Sequence, residues 1–207
     1  MSSIFSDPFF RRGTTLLSGE AIELDGDSNP IAGGEIVGQI KAFQDVNPST
    51  GARNSNRLVY CVAARYKGSN TTGASLAGKL VAFDTGKANA SMTEFSAAAT
   101  ATNVADGRAY GVVDEYIPSG VDIRQNDIVW VVVKGPVTVL KTAGASGSTA
   151  YTAGLAAVVS ATAGSVTYKG DATSSTGTVM IGQHTGAAAN VASAATSIRI
   201  NLWSDQI

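Results

Sequence analysis

Ile128-Val-Trp-Val-Val-Val-Lys-Gly-Pro-Val-Thr-Val-Leu140 decides the fold class of this chain. It consists of two β-branched runs separated at Gly135-Pro136. β-Branched and aromatic residues favour the pleated, half-buried surface of a sheet, and a Gly-Pro step punctuates strands. The pattern predicts a hairpin of two paired strands with Val129, Val131, Val133, Val137 and Val139 as core residues. Downstream, residues 142–197 are rich in Ala, Gly, Ser and Thr, and Lys169 and Asp171 are their only charged residues. Short strands are expected near 149–159, 164–169, 177–183 and 197–203, with Gly-rich turns between them. The last of these alternates, with Ile198, Ile200 and Leu202 on one face and Arg199, Asn201 and Trp203 on the other.

Upstream, Leu58 to Tyr66 is apolar on both alternating faces and reads as a central strand beginning at Arg57. Further strands are expected over 35–43, 79–84 and 109–115, and Asn47-Pro-Ser-Thr-Gly51 reads as a turn. One helix is expected, from Met92 to about Val104. Ser91 and Glu94 would form its capping box, and Asp106-Gly107 would end it. Residues 1–34 read as an extended arm, and residues 35–207 as a β-rich domain that admits a division into subdomains 35–106 and 107–207. The expected fold class is mainly β, a small sandwich or barrel-like domain with an N-terminal arm and one short helix.

The arm holds Phe5, Phe9 and Phe10, half of the six phenylalanines, beside Pro8, Arg11 and Arg12. A solvated tail lacks such aromatics. Two readings stand. In one, Phe5, Phe9 and Phe10 dock on a neighbouring subunit while Arg11 and Arg12 pair with acidic groups there. In the other, the segment folds back onto its own domain.

Composition narrows the function classes. The chain has 207 residues, 44% of them hydrophobic and only 15% charged, against about 25% charged in ordinary soluble domains. A surface so poor in charge suits a protein covered by neighbours, and self-association is expected. A net charge of −1 argues against a general nucleic-acid binder, which needs excess Lys and Arg. No apolar run reaches the roughly 18 residues of a membrane span, and the N-terminus lacks the order of a secretory signal. Assembly in a cytoplasm is therefore expected. The single cysteine, Cys61, excludes an internal disulfide and reads as a buried small hydrophobe.

Chemistry is hard to find. Gly73-Ala-Ser-Leu-Ala-Gly78-Lys79 begins like a phosphate-binding loop, but Leu80 stands where Ser or Thr would hold magnesium. A Gly/Ala loop leading into a strand is the better reading. Asp25, Asp27 and Asn29 open like a calcium loop, yet Pro30 and Ile36 replace the glycine and the bidentate acid. One His and one Cys are too few for an ordinary zinc site. His184 reads as a turn or interface residue. Asp114-Glu115 at a strand end reads as solvated, or as salt-bridge partners across an interface. No catalytic, cofactor or metal residues are assigned, and the chain is not expected to be an enzyme. A hydrolase remains only as an alternative.

Ala109-Tyr-Gly-Val-Val-Asp-Glu-Tyr-Ile-Pro-Ser-Gly120 is followed by Asp127-Ile-Val-Trp-Val-Val-Val-Lys-Gly-Pro-Val-Thr-Val139. After these come Ala143-Gly-Ala-Ser-Gly147, Val179-Met-Ile-Gly182 and Ile198-Arg-Ile-Asn-Leu202. Over about residues 107–203 this order resembles the capsid decoration, or cement, proteins of tailed bacteriophages. The resemblance implies a virion structural protein with no enzymatic activity and no cofactor. Such a protein sits on the outer surface of the capsid, commonly as a homotrimer, and clamps subunits of the phage major capsid protein. It would bind neither nucleic acid nor membrane. A phage tail tube, fibre or receptor-binding protein is the alternative.

Overall fold

In the computed structural model the described residues are 12–13, 15–17, 36–84, 92–100, 108–141, 153–160, 162–168, 180–185 and 197–203. They form a mainly β protein organised around one strand. The 13-residue β10 (Ile128–Leu140) runs unbroken through Gly135-Pro136. The hairpin expected at that step is therefore corrected to a single long strand that belongs to two sheets. Before the step, β10 pairs antiparallel with β3 (Arg53–Tyr66) and β8 (Tyr110–Val113), and its first residues also pair with β1 (Thr15–Leu17). After it, β10 pairs with β14 (Ser197–Leu202) from Gly135↔Leu202 to Leu140↔Ser197.

The reason is a bulge. The β3–β10 register slips between Val132 and Lys134, and Gly135 has φ +102°, which glycine adopts without steric cost. The slip reverses the parity of the strand. Ile128, Trp130 and Val132 face one core, Val129, Val131 and Val133 face the other, and beyond the bulge Val137 and Val139 return to the first. All five valines expected in the core are fully buried. Pro136, which has no N–H to give the ladder, is tolerated next to such an irregularity.

Each sheet closes on itself. In the first, pairing runs β3–β10–β8–β5 (Leu80–Ala82). Residues 94–98 complete the ring. β6 (Glu94–Phe95) pairs in parallel with Arg65 and Tyr66, and β7 (Ala97–Ala98) pairs with Val81 and Ala82. β2 (Ile40–Val46) extends this sheet beside β3. In the second, β10–β14 continues through β13 (Met180–His184) and β11 (Ala156–Val159) to β12 (Val166–Tyr168). A parallel bridge, Lys141↔Val166, returns the last strand to the end of β10. The boundary at residues 106/107 does not separate these rings, because β8 and β10 belong to the first.

One core, built on Phe95, Val62, Val81, Val113 and Val131, draws on the first ring together with Leu76, Ile117 and Ile123, which pack over it. The other joins the opposite face of β3, β5, β8 and β10 to the strands of the second ring, and Trp130 is its largest member. The Trp130 ring meets Phe43 edge-on at 5.2 Å, an arrangement favoured by the aromatic quadrupoles.

Two local expectations are corrected. The helix expected from Met92 is extended chain at 94–98; residues 91 and 101–107 lie outside the described set. Local propensity loses to ring closure, which buries Phe95 against Tyr66 with ring centroids 5.4 Å apart. Among the described residues the helix that does occur is one turn, α1 (Gly73–Leu76), within the segment read as a Gly/Ala loop. It is entered from β4 (Thr71–Thr72), which pairs with β9 (Asp122–Ile123). The strand expected over 35–43 starts later, at Ile40, because Gly38 (φ +84°) turns the chain there.

Candidate functional site, a buried ionic lattice

Side chains from five distant parts of the chain converge where β2, β8, β10 and β14 meet the N-terminal segment. Asp45 lies near the end of β2, and Asp114 and Glu115 follow directly on β8. Thr138 and Arg199 are register partners on β10 and β14. Arg12 arrives from the N-terminal segment. It places Nη2 2.8 Å from Asp114 Oδ1, and the side chains are 2% and 0% exposed. Its Nε donates to the same oxygen at 3.0 Å, and Nη2 reaches Glu115 Oε1 at 3.4 Å. The Gly13 N–H donates to Asp114 Oδ2 at 2.5 Å. Arg12 also stacks over the Tyr116 ring, 4.8 Å from its centroid, in cation–π geometry.

Glu115 bridges to the second arginine. It accepts from Arg199 Nη1 at 3.5 Å and from the Thr138 N–H at 2.6 Å. Arg199 in turn donates to Thr138 Oγ1 at 3.2 Å and pairs with Asp45. Asp45 has no exposed surface. It also accepts from Ser55 Oγ at 2.6 Å, and Asn54, which reaches it at 3.5 Å, donates to the Tyr116 hydroxyl at 2.7 Å. Two cations and three anions are thus gathered together, with Arg199 24% exposed and the other four side chains nearly or fully buried, which is tolerable only when the buried polar atoms have partners. Within the lattice, Arg12 Nη1 alone is buried without a hydrogen bond.

Burial, the largest single influence on Arg12, would lower its pKa, but the charges of Asp114 and Glu115 and the hydrogen bond to Asp114 act together against it, and the guanidinium is held above its ordinary range. Arg199 is likewise raised: burial opposes its charge, and the hydrogen bond to Asp45 and the charge of Glu115 overcome it. Burial, reinforced by Glu115, raises Tyr116. Both arginines therefore stay protonated. Among the described residues no group of three His, Cys, Asp or Glu side chains could hold a metal ion.

The lattice revises several expectations. Arg12, expected to pair with acids of a neighbour or to fold back, pairs with Asp114 and Glu115 of its own chain. Phe5, Phe9, Phe10 and Arg11 lie outside the described residues, as do Asp25, Asp27 and Asn29. Residues 12–13 and 15–17, assigned to the arm, are docked on the domain through Arg12 and β1. Asp114-Glu115 is buried rather than solvated, and its ion pairs are internal. His184, read as a turn or interface residue, is not in a turn. It lies on β13, 1% exposed, and burial lowers its pKa. Cys61 is fully buried in a core. Asp45 and Arg199 were not singled out from the sequence. The one available signal was the alternation of the last strand, which set Arg199 on the face opposite Ile198 and Ile200.

Comparisons with protein-family models, with curated proteins and with solved structures yield no match to this chain.

Proposed function

We propose that this chain is a structural subunit of a phage particle, a decoration or cement protein on the outside of a capsid, where it strengthens contacts between major capsid protein subunits. The observation that carries the reading is the lattice. Residues 12, 45, 114–115 and 199, spread over most of the chain, are tied at one buried point, and both closed sheets share one strand. Force applied between the N-terminal segment and either ring is thereby transmitted through ion pairs and the β10 ladder rather than through a loop. A protein that resists separation of shell subunits needs such internal cross-linking. The low charge of the chain and the resemblance of residues 107–203 to decoration proteins point the same way.

The test is binding of the purified protein to phage heads that lack it, followed by co-sedimentation and electron microscopy. Saturation at a fixed copy number, with density on the outer surface, supports the reading. Failure to co-sediment with heads, or density confined to tails, counts against it. Light scattering measures the oligomer, for which a homotrimer is proposed.

A further inference from the structure

We infer that the face around Leu58 is a docking surface for a short acidic segment of a partner protein that carries an apolar side chain. Leu58 is 47% exposed and stands between two adjoining grooves. On one side, a groove of about 380 Å³ is lined by Leu58, Tyr60, Lys134 and Trp203 over the β10 bulge at Gly135. On the other, a groove of about 280 Å³ is lined by Leu58, Arg53, Arg57, Gln44 and Asn56. Neither groove has a carboxylate among its lining residues.

Arg12, Arg65 and Arg199 are each matched by a carboxylate within 4 Å. Arg53, by contrast, donates among the described residues to the neutral amides of Asn56 and Gln44, at 3.2 and 3.3 Å. Among the described residues the Arg57 and Lys134 side chains have no ion-pair partner, and both residues are exposed. Among the described residues, three cations without an anionic partner therefore flank two exposed apolar side chains, in a chain whose net charge is −1. That is the complement of an acidic segment, and a groove of this size accepts an apolar anchor.

Trp203 is already positioned for such a contact. Its N–H donates to the Ile181 carbonyl at 2.8 Å, and its own carbonyl accepts from the Tyr110 hydroxyl at 2.8 Å. The residue stays 40% exposed. A backbone held in place reduces the ordering cost of binding, and Trp and Arg are the residue types that dominate binding energy at interfaces. Three cations on a weakly acidic chain are few for a nucleic-acid strand, which favours the protein partner.

The inference rests on the proposed function only in naming a shell protein as carrier of the segment. Its test uses the full chain and a blocked peptide of alternating Asp and Leu, with the Lys–Leu peptide and an oligodeoxythymidylate as comparisons. Of the two tryptophans, Trp130 is fully buried, so a change in exposed-indole emission reports Trp203, and the Trp203→Phe variant verifies the assignment. The expected result is a saturable blue shift with the Asp–Leu peptide alone. In Arg53→Glu/Arg57→Glu, binding should weaken on the order of tenfold while the melting temperature is unchanged. No shift, an equal shift with the Lys–Leu peptide, tighter binding of the oligonucleotide, or unaltered binding by the charge-reversed variant would each overturn the inference. Peptide binding without head binding leaves this surface standing and removes the capsid reading. Head binding that the charge reversal does not weaken does the opposite.

Discussion

Arg12 and Asp114, 102 residues apart, share a hydrogen-bonded ion pair in which neither side chain has more than 2% of its surface exposed. A buried pair adds little over a well-packed apolar replacement, but removing one partner strands the other charge. Arg12→Met should therefore cost about 3–5 kcal/mol, and Asp114→Leu a similar amount. The double variant should recover much of the loss. Urea unfolding of the four proteins gives the coupling, and strictly additive losses would show that the pair is not the unit described.

The β10 bulge makes its own prediction. Gly135 has φ +102°, and a Cβ there would run into the Leu58 carbonyl oxygen. Gly135→Ala should destabilise by about 1–3 kcal/mol from backbone strain alone, and more through the clash. Gly120→Ala meets nothing within 4 Å and should change stability by less than about 0.5 kcal/mol. Equal melting temperatures for the two variants would argue against the bulge.

Cys61 has no exposed surface, and burial raises its thiol pKa, with the Arg12 charge partly opposing the rise. Only the thiolate reacts with disulfide reagents, so native protein should label at a rate set by opening of the fold. Arg12→Met should accelerate labelling in step with its lost stability. Labelling of native protein within the mixing time would exclude a core position.

His184 is the sole histidine, and burial is the main cause of its lowered pKa; a backbone hydrogen bond at Thr167 partly opposes this. The unfolded chain, with an ordinary value of about 6.5, takes up the proton first. The stability gained by keeping the ring neutral is complete above that value and is lost as pH falls through it toward the folded value. The melting temperature of the wild type should therefore drop between about pH 7 and pH 5. His184→Gln should flatten that drop, and an unchanged slope would assign it to other groups.

The sequence by itself determined the strand content and the core. Runs such as Leu58–Tyr66 and Ile128–Leu140, and the alternation of Ile198, Ile200 and Leu202, are local patterns whose burial depends on pleat and side-chain type. Those residues are buried apart from the rim at Leu58, Tyr60, Lys134, Thr138 and Leu140. Tertiary structure decided what these strands pair with. Gly135-Pro136 has the chemistry of a turn and of a bulge alike, and only β14 beside β10 selects the bulge. The Ala/Thr-rich stretch after Met92 has helix-compatible residues, yet the open edges of β3 and β5 claim residues 94–98 as strand. Asp114 and Glu115 read as solvated charges or as partners across an interface, and nothing local distinguishes Asp45 or Arg199. Their burial is created by strands that bring residues 12, 45, 114 and 199 to one point, a pairing energy that exists only once the chain has folded.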